Sequence, residues 1–183
     1  MVSPARPSSL GNTDGIGPAV LSLDDSYTFV AWTSATLETL VKMFEYFSAN
    51  GWRRIVAFNS DSPHRPSSAL RQAFDALGSS DLVVGPTHDG GYYLVGAKAP
   101  HPGPFAASAM GTASALETLL ARAQQLQLSV HSTDEFYDID VPADLSRLAA
   151  DLQLTPDRAP RTARWLAEWA RTAPQPISRD PNP

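Results

Sequence analysis

The chain contains no cysteine, which removes disulfides and thiolate metal sites and suits a reducing cytosol. Nothing in it approaches the roughly 18 consecutive apolar residues of a membrane-spanning helix. Its Pro/Ser-rich start also lacks the apolar core of a signal peptide. Charged residues make up only 18% of the chain and the formal charge is −5, so there is no basic footprint for nucleic acid. No Walker A sequence and no G-x-S-x-G elbow is present. Gly15 and Gly17 form a G-x-G with neither a preceding strand nor a third glycine, so it is no dinucleotide fingerprint. His64, His88, His101 and His131 lack zinc-ligand spacing, and only His88, beside Asp89, is kept as a candidate substrate contact. The expectation is a cytoplasmic protein without a membrane span.

What the sequence does have is length and apolar content for one compact α/β domain: 183 residues, 43% of them hydrophobic. Residues 1–26 show no helical or strand period and read as a flexible N-terminal arm. Residues 173–183, with prolines at 174, 176, 181 and 183, read as a disordered tail. Between them, 27–172 alternates strand and helix signals. YTFVAW (27–32), RIVAFN (54–59), DLVVG (81–85), YYLVG (92–96) and LSVH (128–131) read as strands. Leu37, Leu40, Val41, Phe44 and Phe47 share a helical face that Asn50-Gly51 should stop. Leu70, Ala73, Phe74 and Leu77 mark a second helix, and Leu145, Leu148, Ala149 and Leu152 a later one introduced by Pro142. Ser114 and Glu117 read as a capping box. Trp165 and Trp169, one turn apart, read as capping the core from a last helix. The alternation implies a largely parallel sheet.

Three segments place an aspartate where a strand stops, which is where open α/β sheets bind ligands. In NSDSP (59–63), Asp61 can ligate Mg²⁺ or Mn²⁺, while Ser60 and Ser62 can contact phosphate. The same residues also make an ordinary Asp-Ser-Pro turn. In HDGGYYLVG (88–96), Asp89-Gly90-Gly91 is good hairpin chemistry, and its glycines equally let a ligand approach the backbone. Tyr92 or Tyr93 could stack on a sugar or base; as strand neighbours they face opposite ways, so at most one enters the site. In DIDVPADL (138–145), Asp138 and Asp140 share a face if extended, ahead of a helix N-terminus; Asp140 or Asp144 could instead simply cap that helix. Three capping accidents would have no reason to fall at successive strand ends.

In order and spacing these segments resemble the nucleotide-diphospho-sugar transferase superfamily with its GT-A-type fold. They match best a bacterial branch, provisionally assigned as glycosyltransferases, with G-x-DSP, GP-x-x-DGGYYLIG, W-x-T and DID-x-P-x-DL segments. Here these stand as SDSP (60–63), GPTHDGGYYLVG (85–96), MGT (110–112) and DIDVPADL (138–145), with Met110 for the tryptophan and Val141 for a better-capping threonine. The similarity runs from about Ala35 to Leu152, and extends more remotely to guanylyltransferases of cofactor biosynthesis. It implies a three-layer α/β/α sandwich with a mostly parallel sheet, shortened at the N-terminus and lacking the first β-α-β unit with its basic Gly-rich nucleotide loop.

The resemblance further implies a metal-dependent transferase moving a sugar from a nucleotide-diphosphate donor, with Mg²⁺ or Mn²⁺ as cofactor. Asp61 and Asp140 would hold the metal, and Asp89 would orient or deprotonate the acceptor with Asp140 as its catalytic partner. Ser60, Ser62, Gly90, Gly91, Tyr92 and Asp138 would contact substrate. Two rival readings stand beside this one. The first is nucleotidyl transfer onto a phosphorylated small molecule. The second is an impaired homologue acting through a partner protein or as a homodimer joined at an uncovered sheet edge.

Overall fold

The computed structural model describes residues 19–24, 27–32, 37–59, 61–98, 105 and 113–172. These fall into two compact units, one ending at Asp138 and the other beginning at Ile139, where the sequence had suggested a single domain over 27–172. Of the arm read over 1–26, residues 1–18, 25 and 26, together with the tail at 173–183 and Ser60, lie outside the described residues.

The first unit is built on six strands: β1 (Ala19–Asp24), β2 (Tyr27–Trp32), β3 (Ile55–Asn59), β4 (Leu82–Pro86), β5 (Tyr92–Ala97) and β6 (Val130–Ser132). Their order across the sheet is β1-β2-β3-β5-β4-β6. β2 pairs with β3 and β4 with β6 in parallel, while β1–β2, β3–β5 and β4–β5 are antiparallel. The sheet is therefore mixed, which corrects the expectation of a mostly parallel one. The reason is local: β4 and β5 are joined by only five residues, too few for the crossover that parallel neighbours need. β1 is also new, since no strand signal was read before Tyr27, and it pairs directly with β2. No helix intervenes between those two strands.

The apolar runs behave as strands buried on both faces. Every residue of β3 and β5 is buried. Along β3, Ile55 and Ala57 join one hydrophobic cluster with α1 (Leu37–Ala49) and α3 (Ala115–Gln125), whereas Val56 and Phe58 join another with α2 (Ser67–Ala76). The predicted face of α1 is met by Leu40, Phe44 and Phe47, and the helix ends as expected at Gly51, where φ is +90°. β5 breaks the simple alternation. Gly85 opposes Leu94 and Pro86 opposes Tyr92, so Tyr93 is the extra residue of a bulge. Tyr92 consequently packs in the α1/α3 cluster and Tyr93 in the α2 cluster.

The second unit is a helical pair, α4 (Pro142–Leu154) and α5 (Pro160–Thr172), joined by a short 3-10 turn at Pro156–Arg158. Its own cluster is Leu148, Leu152, Ala159 and Leu166. The tryptophans that were expected to cap a core do not. Trp165 is 54% and Trp169 47% exposed, and Leu166, between them in sequence, is the buried anchor of α5.

Candidate functional site

β2, β3, β4 and β6 all run one way, so β3, β4 and β6 end at the same edge of the first unit. The segments that follow them, 61–66, 87–91 and 133–138, emerge together there. Backbone hydrogen bonds zip the third onto the second. Thr133 N donates to Val84 O at 2.9 Å, Phe136 N to Pro86 O at 3.1 Å and His88 N to Phe136 O at 3.2 Å. The Tyr93 hydroxyl donates to the Asp134 carbonyl at 3.1 Å. The first segment joins at Phe136 and Tyr137: the Ser62 hydroxyl donates to the Tyr137 carbonyl at 3.0 Å, and the His64 ring stacks on the Tyr137 ring at 4.1 Å and meets the Phe136 ring edge-on at 6.2 Å. Ser62 and His64 are both buried, so this strut is internal.

The result is to bring Asp138, the residue after Tyr137, beside Asp89. Each offers a carboxylate oxygen, and the two lie within 4.8 Å of one another. Asp89 is held in place by its own turn. Its Oδ1 accepts from the Thr87 hydroxyl at 2.5 Å and from the Gly91 amide at 3.0 Å. The Thr87 hydroxyl first, and the Gly91 amide with it, hold the Asp89 carboxyl below the usual carboxylate range against a smaller opposing push from burial. Asp89 is thus an ionised group with one oxygen engaged, which is how a metal-binding carboxylate is commonly oriented.

Gly90 explains why this turn needs glycine. Its φ is +87°, and a Cβ there would meet the Ala113 carbonyl oxygen at 2.1 Å. The close approach lets Leu116 N donate to Gly90 O at 3.0 Å. That bond also accounts for a failed expectation. Helix α3 starts after Ser114 as predicted, but Ser114 makes no side-chain cap: its ψ of 8° is not the extended conformation of an N-cap, and the second amide of the helix is met by Gly90 instead.

The remaining candidates divide. Ser62 spends its hydroxyl on Tyr137 and is 3% exposed, and Tyr92 is buried in a hydrophobic cluster; neither presents itself to an open site as expected. Asp61 is exposed and lies outside the Asp89–Asp138 group. Asp140 belongs to the second unit, two residues along the chain from Asp138, and is exposed. The cap of α4 comes from Asp144, whose Oδ2 accepts from the amides of Asp140 at 3.1 Å and Val141 at 2.9 Å. Thr87, Phe136 and Tyr137 were missed; a hydroxyl two residues before an aspartate and an aromatic pair before another were the signals available.

Against known proteins, residues 34–112 match a family described as an uncharacterized protein conserved in bacteria (DUF2064). That stretch is less than half of the chain. No curated protein matches. Among solved structures, the chain is similar to a protein from Desulfovibrio desulfuricans G20 provisionally described as a nucleotide-diphospho-sugar transferase. The TM-score is 0.70 at 25% identity, over 75% of this chain and 61% of that one. The chain therefore spans less than two thirds of that relative's length. Both findings support a likeness to the nucleotide-diphospho-sugar transferase superfamily.

Proposed function

We propose that the protein is a GT-A-like glycosyltransferase that takes a sugar from a nucleotide-diphosphate donor with the help of Mg²⁺ or Mn²⁺. The observation that carries the reading is the pairing of Asp89 with Asp138 at the carboxyl edge of the sheet, in a fold similar to a solved protein given that provisional description. The donor set fits the metal: both groups are carboxylates, oxygen donors of the kind Mg²⁺ and Mn²⁺ prefer, and Asp89 is kept deprotonated as a ligand must be. Asp140, two residues along from Asp138, is the third carboxylate of the proposal, and Asp61, on the segment after β3, would reach the diphosphate through the cation. Bound there, the cation would offset negative charge on a departing nucleoside diphosphate.

The lowered pKa argues against Asp89 as a general base, since a carboxylate held below its usual range accepts protons weakly. Its role in the proposal is accordingly to hold the metal rather than to deprotonate the acceptor. Gly90 and Gly91 form the turn that holds Asp89, and a three-layer GT-A arrangement is the fold expected around it.

The test is thermal stabilisation by UDP, GDP, CDP and dTDP with Mn²⁺ or Mg²⁺ against EDTA. A nucleotide at a hundredfold excess over its Kd should add about 2.7 kcal/mol of stability. One nucleotide should give a metal-dependent shift that Asp138→Asn removes. No shift with any nucleotide would overturn the reading. Release of pyrophosphate in place of a nucleoside diphosphate would move it to nucleotidyl transfer.

A further inference from the structure

The turn between β3 and α2 carries a charged group that the carboxylate pair does not use. Arg65 directly precedes Pro66, the N-cap of α2. Its guanidinium lies over the Phe58 ring at 4.4 Å and the Tyr93 ring at 5.3 Å, two members of the cluster beneath α2. Neither ring gives it an acceptor. Phe58 has none, and the Tyr93 hydroxyl donates to the Asp134 carbonyl at 3.1 Å and pairs with the Thr133 hydroxyl at 3.0 Å. Among the described residues the guanidinium has no ion pair and no hydrogen bond.

An arginine is rarely withdrawn from water without a counter-charge, because nothing then replaces the lost hydration. Burial is the largest influence on Arg65 and pushes its pKa down to about 10, and the opposing influence is Tyr93, not a carboxylate. The group stays charged at neutral pH with its counter-charge missing. Its orientation says where one would bind. Nη1 is the nitrogen sealed from solvent, while Nε and Nη2, which also make no hydrogen bond, are not sealed. The Nε–H and one Nη2–H point the same way, as the fork that meets a carboxylate or phosphate with two parallel bonds. Contact with two rings holds the plane of that fork, so little side-chain freedom is lost when a ligand docks. Nothing negative stands in the first turn of α2, and its N-cap makes no side-chain bond to the helix amides. Arg65 is only partly exposed, so the fork is recessed and takes a terminal oxyanion more readily than a flat protein surface. Its segment is also the one that Ser62 and His64 fasten to Tyr137, the residue before Asp138.

We propose that Arg65 recognises an oxyanion, a phosphate or carboxylate group on a small-molecule ligand that enters at the carboxyl edge of the sheet. This recognition uses no metal and does not depend on the transferase reading. The test is titration of the full chain with inorganic phosphate in EDTA, against sodium chloride at equal ionic strength. The Arg65 Nε–H resonance, identified by its absence from Arg65→Met, should shift to saturation. Thermal stability should rise with the same apparent Kd. Arg65→Met should lose that rise, and Arg65→Lys should bind about tenfold more weakly, since an ammonium lacks the paired donors. Far-UV circular dichroism of both variants checks that they fold, and the wild-type resonance shift stands without them.

Acetate in the same titration tells a carboxylate preference from a phosphate one, and saturable binding of either supports the proposal. Competition by a nucleoside diphosphate would assign the oxyanion to that ligand, and phosphate binding without competition would assign it to another; both support the recognition. An Nε–H resonance that neither phosphate nor acetate moves would overturn it. So would equal stabilisation of Arg65→Met by phosphate, which would place the ion elsewhere on the chain.

Discussion

Thr87 decides how Asp89 ionises, and the consequence can be followed through pH. Because the folded-state pKa of Asp89 lies below the ordinary value for an aspartate, its interactions stabilise the protein above that ordinary value. That contribution disappears as pH falls through the folded pKa. Thr87→Val removes the largest cause, so the carboxyl should titrate closer to 3.8 by NMR. The variant should lose stability at neutral pH and approach the wild type at low pH, once the carboxyl is protonated in both. Arg65 gives an opposite case. Its guanidinium sits over the rings of Phe58 at 4.4 Å and Tyr93 at 5.3 Å, and one nitrogen, Nη1, is buried with no hydrogen-bond partner among the described residues. Burial pushes it down to about 10, which leaves it charged at neutral pH in a place where charge is costly. Arg65→Met should leave the urea midpoint unchanged or raise it by the equivalent of about 1 kcal/mol, since the lost ring contacts are worth a similar amount. Gly90→Ala should cost at least about 2 kcal/mol, because a positive φ and a backbone clash with Ala113 coincide there. A variant with wild-type stability would show that the turn can shift away from α3.

Elements turn these residues into a site, and here the strut through Tyr137 matters most. Asp138 has no regular element of its own. It is placed because Phe136 bridges to Thr87, and because Ser62 and His64 grip the residue between. Tyr137→Ala keeps every carboxylate but removes the ring on which His64 stacks. It should weaken Mn²⁺ binding by about tenfold, in line with the loss of groups that orient metal ligands. Calorimetric Mn²⁺ titration at matched fold stability measures this, and unchanged affinity would show that the zipped backbone alone suffices. The sequence revealed the three segments because strand ends and turn residues are local signals. It could not reveal the strut, since Ser62 and Tyr137 are 75 residues apart and meet only through the strand order. Strand direction was lost for the same reason: alternation with helices implied parallel neighbours, yet β5 inserts antiparallel between β3 and β4. β1 was hidden by its setting among Ser, Pro and Gly. The tryptophans misled because i, i+4 spacing marks a shared face without saying whether that face is inward.

For the whole molecule, the two units predict unequal resistance to opening. The first holds two clusters around all-buried strands, while the second rests on Leu148, Leu152, Ala159 and Leu166. Four buried side chains are few for a two-helix unit, since small units bury a smaller fraction of their surface. Local opening free energies follow such differences in buried apolar contact. Leu166 is 4% exposed and is the buried residue of α5, so Leu166→Ala removes that helix's main anchor. A buried Leu→Ala change costs about 2–5 kcal/mol, which exceeds what so small a cluster can spare. Hydrogen exchange read by mass spectrometry should therefore show residues 142–172 losing protection in this variant while β3, β4 and β5 keep theirs. If protection fell equally in the strands, the two units would open as one cooperative body, and stability at the carboxylate pair would be tied to the helical pair. If strand protection persisted, α5 could be altered without disturbing Asp89 and Asp138.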